Sequence, residues 1–420
     1  MRDHDHRVCR GGGRNRDILI SGAGIAGPAL AFWLSRRGFN PTVVERAPAL
    51  RSGGQAVDFR GPAQMDLLRR MGVLDEIRAH QTDMGDLSFV DAAGRTRVTL
   101  SAAFASGEVE ILRGDLSRIL YEASRVGAEY VFGDSISALT EEGDHIDVTF
   151  QSGARRSFDL VIGADGLHSN VRSLAFGPEA LFVRPMGYRV AIFSVPNALR
   201  LSREGRIFCS PGKAIGLYGD HPDDPARAVL YFADLSKWNT WQDTQVVTQK
   251  ESVAEIFDGV GWQAPGVIAA LWDAPDFYVD SIAQVRMDAW SRGRVALIGD
   301  AGYGGTLGGM GTGVAVVAAY VLAGELEACH GDHHAAFARY AERLGGYAKR
   351  CQQGAASVGS FMAPRTTGGI WLRDTLLRIS NLAPGGLLER IAADRASGIA
   401  LEPYDDRPAG LWQGLSDGPV

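Results

Sequence analysis

Three glycines and one carboxylate carry the first chemical signal in this chain. Asp17-Ile-Leu-Ile-Ser-Gly22-Ala-Gly24-Ile-Ala-Gly27 is followed by Glu45 at the end of the next apolar run, the spacing of a dinucleotide-binding βαβ unit. Gly22 permits a tight strand-to-helix turn, Gly24 lets backbone approach a pyrophosphate, and Gly27 lets helix and strand pack closely. The pyrophosphate then rests on a helix N-terminus, where unpaired N–H groups and the helix dipole favour an anion. Glu45, about 20 residues downstream, is placed to accept both ribose hydroxyls of an adenosine. The chemistry expected is the binding of an ADP-containing cofactor. Hydrolytic chemistry has no comparable signal, because the chain carries no Ser-His-Asp set, HExxH element or paired-carboxylate signature.

The elements that must position these residues follow from hydrophobic spacing. Residues 17–21 read as a short strand, 25–38 as a helix, and 42–44 as a second strand; Pro28 is tolerated in a first helical turn. Residues 46–62 are irregular and 63–78 helical. Residues 86–90 and 95–100 form a hairpin around Asp91-Ala-Ala-Gly94, a helix covers 115–126, and strands are expected at 129–132, 134–140 and 145–150. Extended runs at 187–195, 205–210, 214–219 and 227–233 read as an antiparallel sheet, followed by helices at 248–258 and 263–272, a strand at 294–298, and helices beyond 314. Trp238, Trp241, Trp262 and Trp272 cluster in this half, as core packing or as the lining of a pocket for a flat ligand.

Composition narrows the function. At 420 residues, 45% apolar, the chain holds two or three domains, and a net charge of −6 leaves no basic field for nucleic acid. Cys9, Cys209, Cys329 and Cys351 form neither a CxxC pair nor a disulfide ladder, so reduced cytoplasmic thiols and no metal site are expected. Residues 1–16 lack an apolar segment and read as a disordered tail. Residues 301–324 carry no charge, but 8 of these 24 are glycine and the helical part begins near Val314, too short to span a membrane. Those glycines suggest backbone lying flat against a ligand.

Two further glycine turns carry acids. Asp159-Leu-Val-Ile-Gly163-Ala-Asp165-Gly166-Leu-His-Ser169-Asn-Val-Arg172 resembles the Asp-Gly motif of FAD-dependent aromatic hydroxylases, the single-component monooxygenases of the p-hydroxybenzoate hydroxylase type. Arg294-Val-Ala-Leu-Ile-Gly299-Asp300-Ala301 resembles the same family's Gly-Asp motif, and Gly308-Gly-Met-Gly311-Thr-Gly313 its flavin-facing helix start. Glu110-Ile-Leu-Arg113-Gly-Asp-Leu116 resembles the segment whose arginine lies over the cofactor. Ser21 to Pro28 and Arg51-Ser-Gly-Gly-Gln55-Ala-Val-Asp58-Phe-Arg60-Gly look like the branch of tetracycline-modifying and polyketide-tailoring enzymes. One departure stands out: where the family reads Gly-Asp-Ala-Ala-His with a proline soon after, this chain has Gly299-Asp-Ala-Gly-Tyr303-Gly-Gly-Thr306-Leu307 and no proline, which suggests a looser loop and altered oxygen use.

The resemblance implies an α/β fold: a discontinuous Rossmann-like FAD-binding domain (17–84, 106–180 and 286–330), an inserted, mainly antiparallel substrate-binding domain (85–105 and 181–285), and a C-terminal helical region (331–420). It implies a cofactor set of Gly22, Gly24, Ile25, Ala26, Gly27, Glu45, Arg46, Arg113, Asp165, Asp300, Gly311, Thr312 and Gly313. Asp300 would accept hydrogen bonds from ribityl hydroxyls, and the 311–313 helix start would stabilise reduced flavin. Tyr188 and Arg189 are candidate substrate contacts, although strand alternation turns only one of them inward. His168 reads as a helix-start residue beside the pyrophosphate rather than a base. The implied activity is a cytoplasmic monooxygenase, monomer or homodimer. Transiently docked NAD(P)H reduces FAD, and a flavin C4a-hydroperoxide passes one atom of O2 to a bulky aromatic or polycyclic natural product. A dehydrogenase or reductase that avoids O2, or a non-catalytic binder of flat hydrophobes, are the alternatives. A halogenase is disfavoured by the spacing of Trp238-Asn-Thr-Trp241.

Overall fold

Ile18, Leu19 and Ile20 are all fully buried, as a strand covered on both faces requires. They belong to β1 (Asp17–Ser21), at the centre of a six-stranded sheet ordered β17 (Ser291–Arg292), β18 (Val295–Leu297), β11 (Leu160–Gly163), β1, β2 (Asn40–Glu45), β7 (Glu129–Phe132). Every neighbouring pair is parallel except β17–β18. The structure is a computed structural model that describes residues 15–50, 54–82, 85–102, 107–234, 245–306, 311–355, 357–382 and 399–404. Of the expected tail at 1–16, residues 1–14 lie outside the described residues, as do Trp238 and Trp241, whereas Asn15 and Arg16 are anchored by hydrogen bonds to Gly331 and Asp159.

One face of this sheet is covered by the helices Ala26–Arg36 and Gly311–Ala328, where Trp33 packs edge-on against Tyr320 at 4.9 Å between ring centroids. By length and composition the second helix could cross a membrane, but 78% of it is buried inside the protein. Leu19, Val161 and Leu297 point to the other face, against Ile146, Val148 and Phe158 of a three-stranded sheet, β8 (Ile136–Glu142), β9 (His145–Phe150) and β10 (Arg155–Phe158).

A second layer is a seven-stranded sheet ordered β16 (Tyr278–Val285), β12 (Val183–Val195), β15 (Ala226–Ala233), β14 (Lys213–Gly219), β13 (Glu204–Ser210), β4 (Leu87–Val90), β5 (Thr96–Leu100). It is antiparallel except between β13 and β4. Alternation along β15 gives it two apolar faces. Ala228, Leu230 and Phe232 pack on the helices Val246–Phe257 and Ala264–Leu271, while Val229 and Tyr231 face the opposite way. That opposite face meets the helices Val358–Met362 and Thr367–Leu382 through Met362 and Leu377.

The sequence reading differs from this structure in several places. The stretch read as irregular contains β3 (Ala56–Phe59), paired with β6 (Val109–Leu112). The single helix at 63–78 is two, Pro62–Arg70 and Leu74–Ala79, separated at Gly72, whose φ of +73° ends the first. The edge strands β10, β16 and β17 are additional.

Candidate cofactor and substrate cavity

The β1 turn is closed by contacts that only glycine allows. Gly22 has φ +110°, and a Cβ there would lie 2.6 Å from the Ala164 carbonyl oxygen; a Cβ on Gly27 would lie 1.9 Å from the Gly22 oxygen. Gly24 is different, because the nearest atom to its would-be Cβ is Arg113 Nη2 at 3.9 Å. The gap between Gly24 and Arg113 opens into a cavity of about 1860 Å³. That is nearly twice the ~1,000 Å³ upper range for a single drug-sized ligand. Ser117 fixes the turn from below, its hydroxyl shared between the carbonyls of Ala23 (3.2 Å) and Gly24 (3.1 Å). Glu45 reaches back from the end of β2, accepting the N–H groups of Ala23 and Ala47, each at 2.9 Å.

The Asp-Gly turn after β11 is built as a helix cap. Asp165 accepts from the Ser169 hydroxyl and, at 3.0 Å, from Val171 N–H, while Ser169 Oγ accepts from Arg172 N–H at the start of the helix Asn170–Phe176. Burial raises the Asp165 carboxyl despite these bonds. Arg172 is fully buried, donating to the carbonyls of Ala301 (3.0 Å) and Leu167 (2.6 Å), so it ties this turn to the one that follows Asp300. His168 is clamped outside the turn, Nδ1 3.1 Å from both Glu179 oxygens and Nε2 3.1 Å from Asp280 Oδ1. Hydrogen bonds to Asp280 and then Glu179 push it up to about 10, so it is a cation that positions the turn.

Asp300 tests whether a flavin fits. Its carboxylate is accessible from the cavity yet lies deep in the protein, and it makes no hydrogen bond to another described residue. Burial raises its carboxyl, opposed by the nearby Arg113 charge. A deep acceptor with free lone pairs, facing a space that begins at a glycine cradle, suits the hydroxyl-bearing chain of FAD. The turn that carries it is rigid. Tyr303 is buried, accepts Gly299 N–H at 2.8 Å, and meets Tyr340, whose hydroxyl reaches the Leu297 carbonyl at 3.2 Å. The tyrosine that replaces the family's histidine thus locks the first part of the loop expected to be loose; residues 307–310 lie outside the described residues.

Every residue of the expected cofactor set borders this cavity except Gly27 and Gly313. Gly27 acts through helix–strand packing, and Gly313 leaves room for Gln64, which would lie 2.1 Å from a Cβ there. Tyr188 and Arg189 do not border the cavity: Tyr188 packs under Gly359 and Arg365, and Arg189 is buried against Asp234 at 2.8 Å. Trp262 packs on Phe208, and neither it nor Trp272 borders the cavity. The aromatic wall comes instead from Tyr218, Tyr231, Phe277, Tyr278 and Phe361, with Leu372 and Leu376 from the helix Thr367–Leu382. Alternation at 227, 229 and 231 is the sequence signal that marks part of this wall. Glu110, quoted only as the start of the Arg113 motif, also borders it.

Comparison with known proteins agrees with this geometry. Residues 15–184 match the family described as FAD binding domain. An uncharacterised protein of Mycobacterium tuberculosis is 44% identical over 346 residues, 80% of this chain and 92% of the relative. A flavin-dependent monooxygenase of an unknown prokaryotic organism is 39% identical over 354 residues, covering 83% of this chain and 91% of the relative. The crystal structure of the tetracycline destructase Tet(55) superposes with a TM-score of 0.79 at 36% identity, over 93% of this chain and 99% of that one.

Proposed function

We propose, from the premise that this chain belongs to the FAD-dependent monooxygenases, that it oxidises a bulky aromatic or polycyclic natural product with one atom of O2, using NAD(P)H as reductant. The observation that carries this reading is the single continuous cavity, glycine-cradled and polar at one end, aromatic and aliphatic at the other. Its volume exceeds what one ligand needs, so cofactor and substrate share it. A tetracycline destructase as structural relative supports a polycyclic substrate.

In this reading the Ala26–Arg36 helix start and Gly24 hold the pyrophosphate, with Arg113 across the gap. Glu45 and Arg46 hold the adenosine end, Asp300 takes the ribityl hydroxyls, and Gly311 and Thr312 present a helix start to the flavin. When bound, FAD would supply the redox chemistry that links the nicotinamide to O2. The chain contributes orientation and dryness. Tyr231 and Val229 on β15 and Phe361, Leu372 and Leu376 opposite form a slot for a flat molecule and keep water out. The parallel sheet and its flanking helices form the FAD-binding domain (17–84, 106–180, 286–330), and residues 85–105 and 181–285 the substrate-binding domain. The free, widely spaced cysteines support a reducing, cytoplasmic location.

The test is a product analysis under ¹⁸O2. Purified flavoprotein, NADH or NADPH, and a panel of polycyclic phenols should give a product carrying one labelled oxygen, with the nicotinamide consumed in proportion. Oxidation of the nicotinamide with every labelled oxygen recovered as hydrogen peroxide, across the whole panel, would refute the monooxygenase assignment for such substrates.

A further inference from the structure

On β6, Val109 and Ile111 point into the core while Glu110 and Leu112 border the cavity, as alternation requires. Glu110 stands three residues before Arg113, about 10 Å along an extended strand, and interacts with Tyr218 of the aromatic wall. Directly across the β3–β6 ladder from it is Asp58. Two carboxylates at one cross-strand position repel each other. Arg60 pairs with Asp58, while Glu110 accepts the Thr82 hydroxyl at 2.8 Å. Asp220 and Tyr218 border the cavity at this corner, and the Tyr218 hydroxyl is a further titratable group that interacts with Glu110. Burial raises Glu110 to about 7; Asp58 and Asp220 add to the rise, and the Thr82 bond and Arg60 oppose it.

We propose that Glu110 is the proton acceptor of the substrate site, binding a phenolic or enolic hydroxyl of the substrate and taking its proton. The inference rests on the aromatic-substrate reading above. The substrate O–H bond breaks, its electron pair stays on the substrate oxygen, and a new O–H bond forms at a Glu110 carboxylate oxygen. The resulting phenolate or enolate is richer in electrons at the carbons that receive oxygen. After oxygen transfer the proton returns to the product oxygen and the carboxylate is restored, so no external acid or base is consumed. A carboxyl titrating near the working pH suits such a two-way transfer.

The experiment binds a monohydroxyanthraquinone, with its hydroxyl remote from the carbonyls, to the oxidised holoenzyme and to Glu110→Gln at pH 7.5. The phenolate of such a probe absorbs to the red of its phenol, so the spectrum of the complex reports where the proton resides without turnover. Wild type should bind it as phenolate. Glu110→Gln keeps the shape and a hydrogen-bonding amide, and should bind within tenfold of wild-type affinity but as the phenol. In turnover with accepted phenols it should lose at least tenfold in kcat, with KM little changed and with the limb of the pH profile near 7 gone. The same phenolate band in both proteins would overturn the role of Glu110. Failure of both FAD-loaded proteins to bind this probe and a panel of other polycyclic phenols would overturn the substrate class beneath it.

Discussion

His168 offers a quantitative check on the electrostatics around the Asp-Gly turn. Both ring nitrogens face carboxylates, Glu179 on one side and Asp280 on the other. A neutral imidazole has only one N–H to donate, so satisfying both requires the imidazolium. Its folded value of about 10, against 6.5 for the free side chain, corresponds to ~5 kcal/mol at 1.36 kcal/mol per unit. Half of the side chain is exposed at 49%, and exposed ion pairs measure roughly 0.2–1 kcal/mol each. Solvent screening therefore reduces the expectation for the two pairs to about 0.4–2 kcal/mol. The folded state holds the proton more tightly, so this stability is fully present below pH 6.5 and is lost as pH rises through about 10.

His168→Gln should therefore melt up to about 2 °C below wild type at pH 6, with the gap closing as pH approaches 10 and shrinking in 0.5 M salt. Release of flavin fluorescence on heating reports unfolding around the cofactor itself. Because the clamp holds the turn that ends in Asp165 and Ser169, FAD affinity should fall in parallel at pH 6. A melting gap that stays constant from pH 6 to 10 would show that the ring is neutral and that its role is shape alone.

Other substitutions separate packing from binding. Gly27→Ala places a Cβ 1.9 Å from the Gly22 oxygen and should yield unstable protein purified without FAD. Gly24→Ala meets nothing closer than 3.9 Å, and should fold normally but bind FAD more weakly by titration. Tyr303→Phe leaves the buried Gly299 N–H without its acceptor and should cost about 1–3 kcal/mol in urea unfolding, with weakened FAD retention. Glu110→Gln should match wild-type stability near pH 4.5. It should exceed wild type by up to ~3 kcal/mol above pH 7, because the raised carboxyl stabilises the fold only while protonated and that contribution is lost as pH rises through about 7. Paired unfolding curves at pH 5 and 8 decide this.

The cofactor end of the cavity was legible because its determinants are contiguous. Gly22 to Gly27, Asp165 to Arg172 and Gly299 to Asp300 are each a strand, a turn and a helix start, and backbone geometry dictates residue types at fixed offsets within them. Even there, what braces the motifs came from afar: Ser117 beneath the glycine turn, Arg172 reaching Ala301, and Tyr340 reaching Leu297. The break at Gly72 was missed because helical periodicity persists across it, and β3 because its pairing partner β6 lies some fifty residues away.

The substrate end obeys a different logic, which explains why Tyr188 and Arg189 do not border the cavity. Strand β12 lies between β16 and β15, so its side chains divide between two faces, and which face meets the cavity is decided by helices that arrive more than 150 residues later. The helix Val358–Met362 settles over Tyr188 and removes it from the cavity, while Ile192, four residues further along the same strand, remains on the wall. Arg189 projects to the opposite side of the pleat and is buried against Asp234. On β15 both covers are long-range as well, yet alternation alone separates Arg227, Val229 and Tyr231 from Ala228, Leu230 and Phe232. It identifies the two sets without saying which one faces the ligand. Assigning that face takes one further piece of information, the position of the helices Val246–Phe257 and Ala264–Leu271. Their apolar residues Val253, Phe257, Val267 and Leu271 claim Ala228, Leu230 and Phe232 and leave the polar-tipped Tyr231 and Arg227 to the cavity.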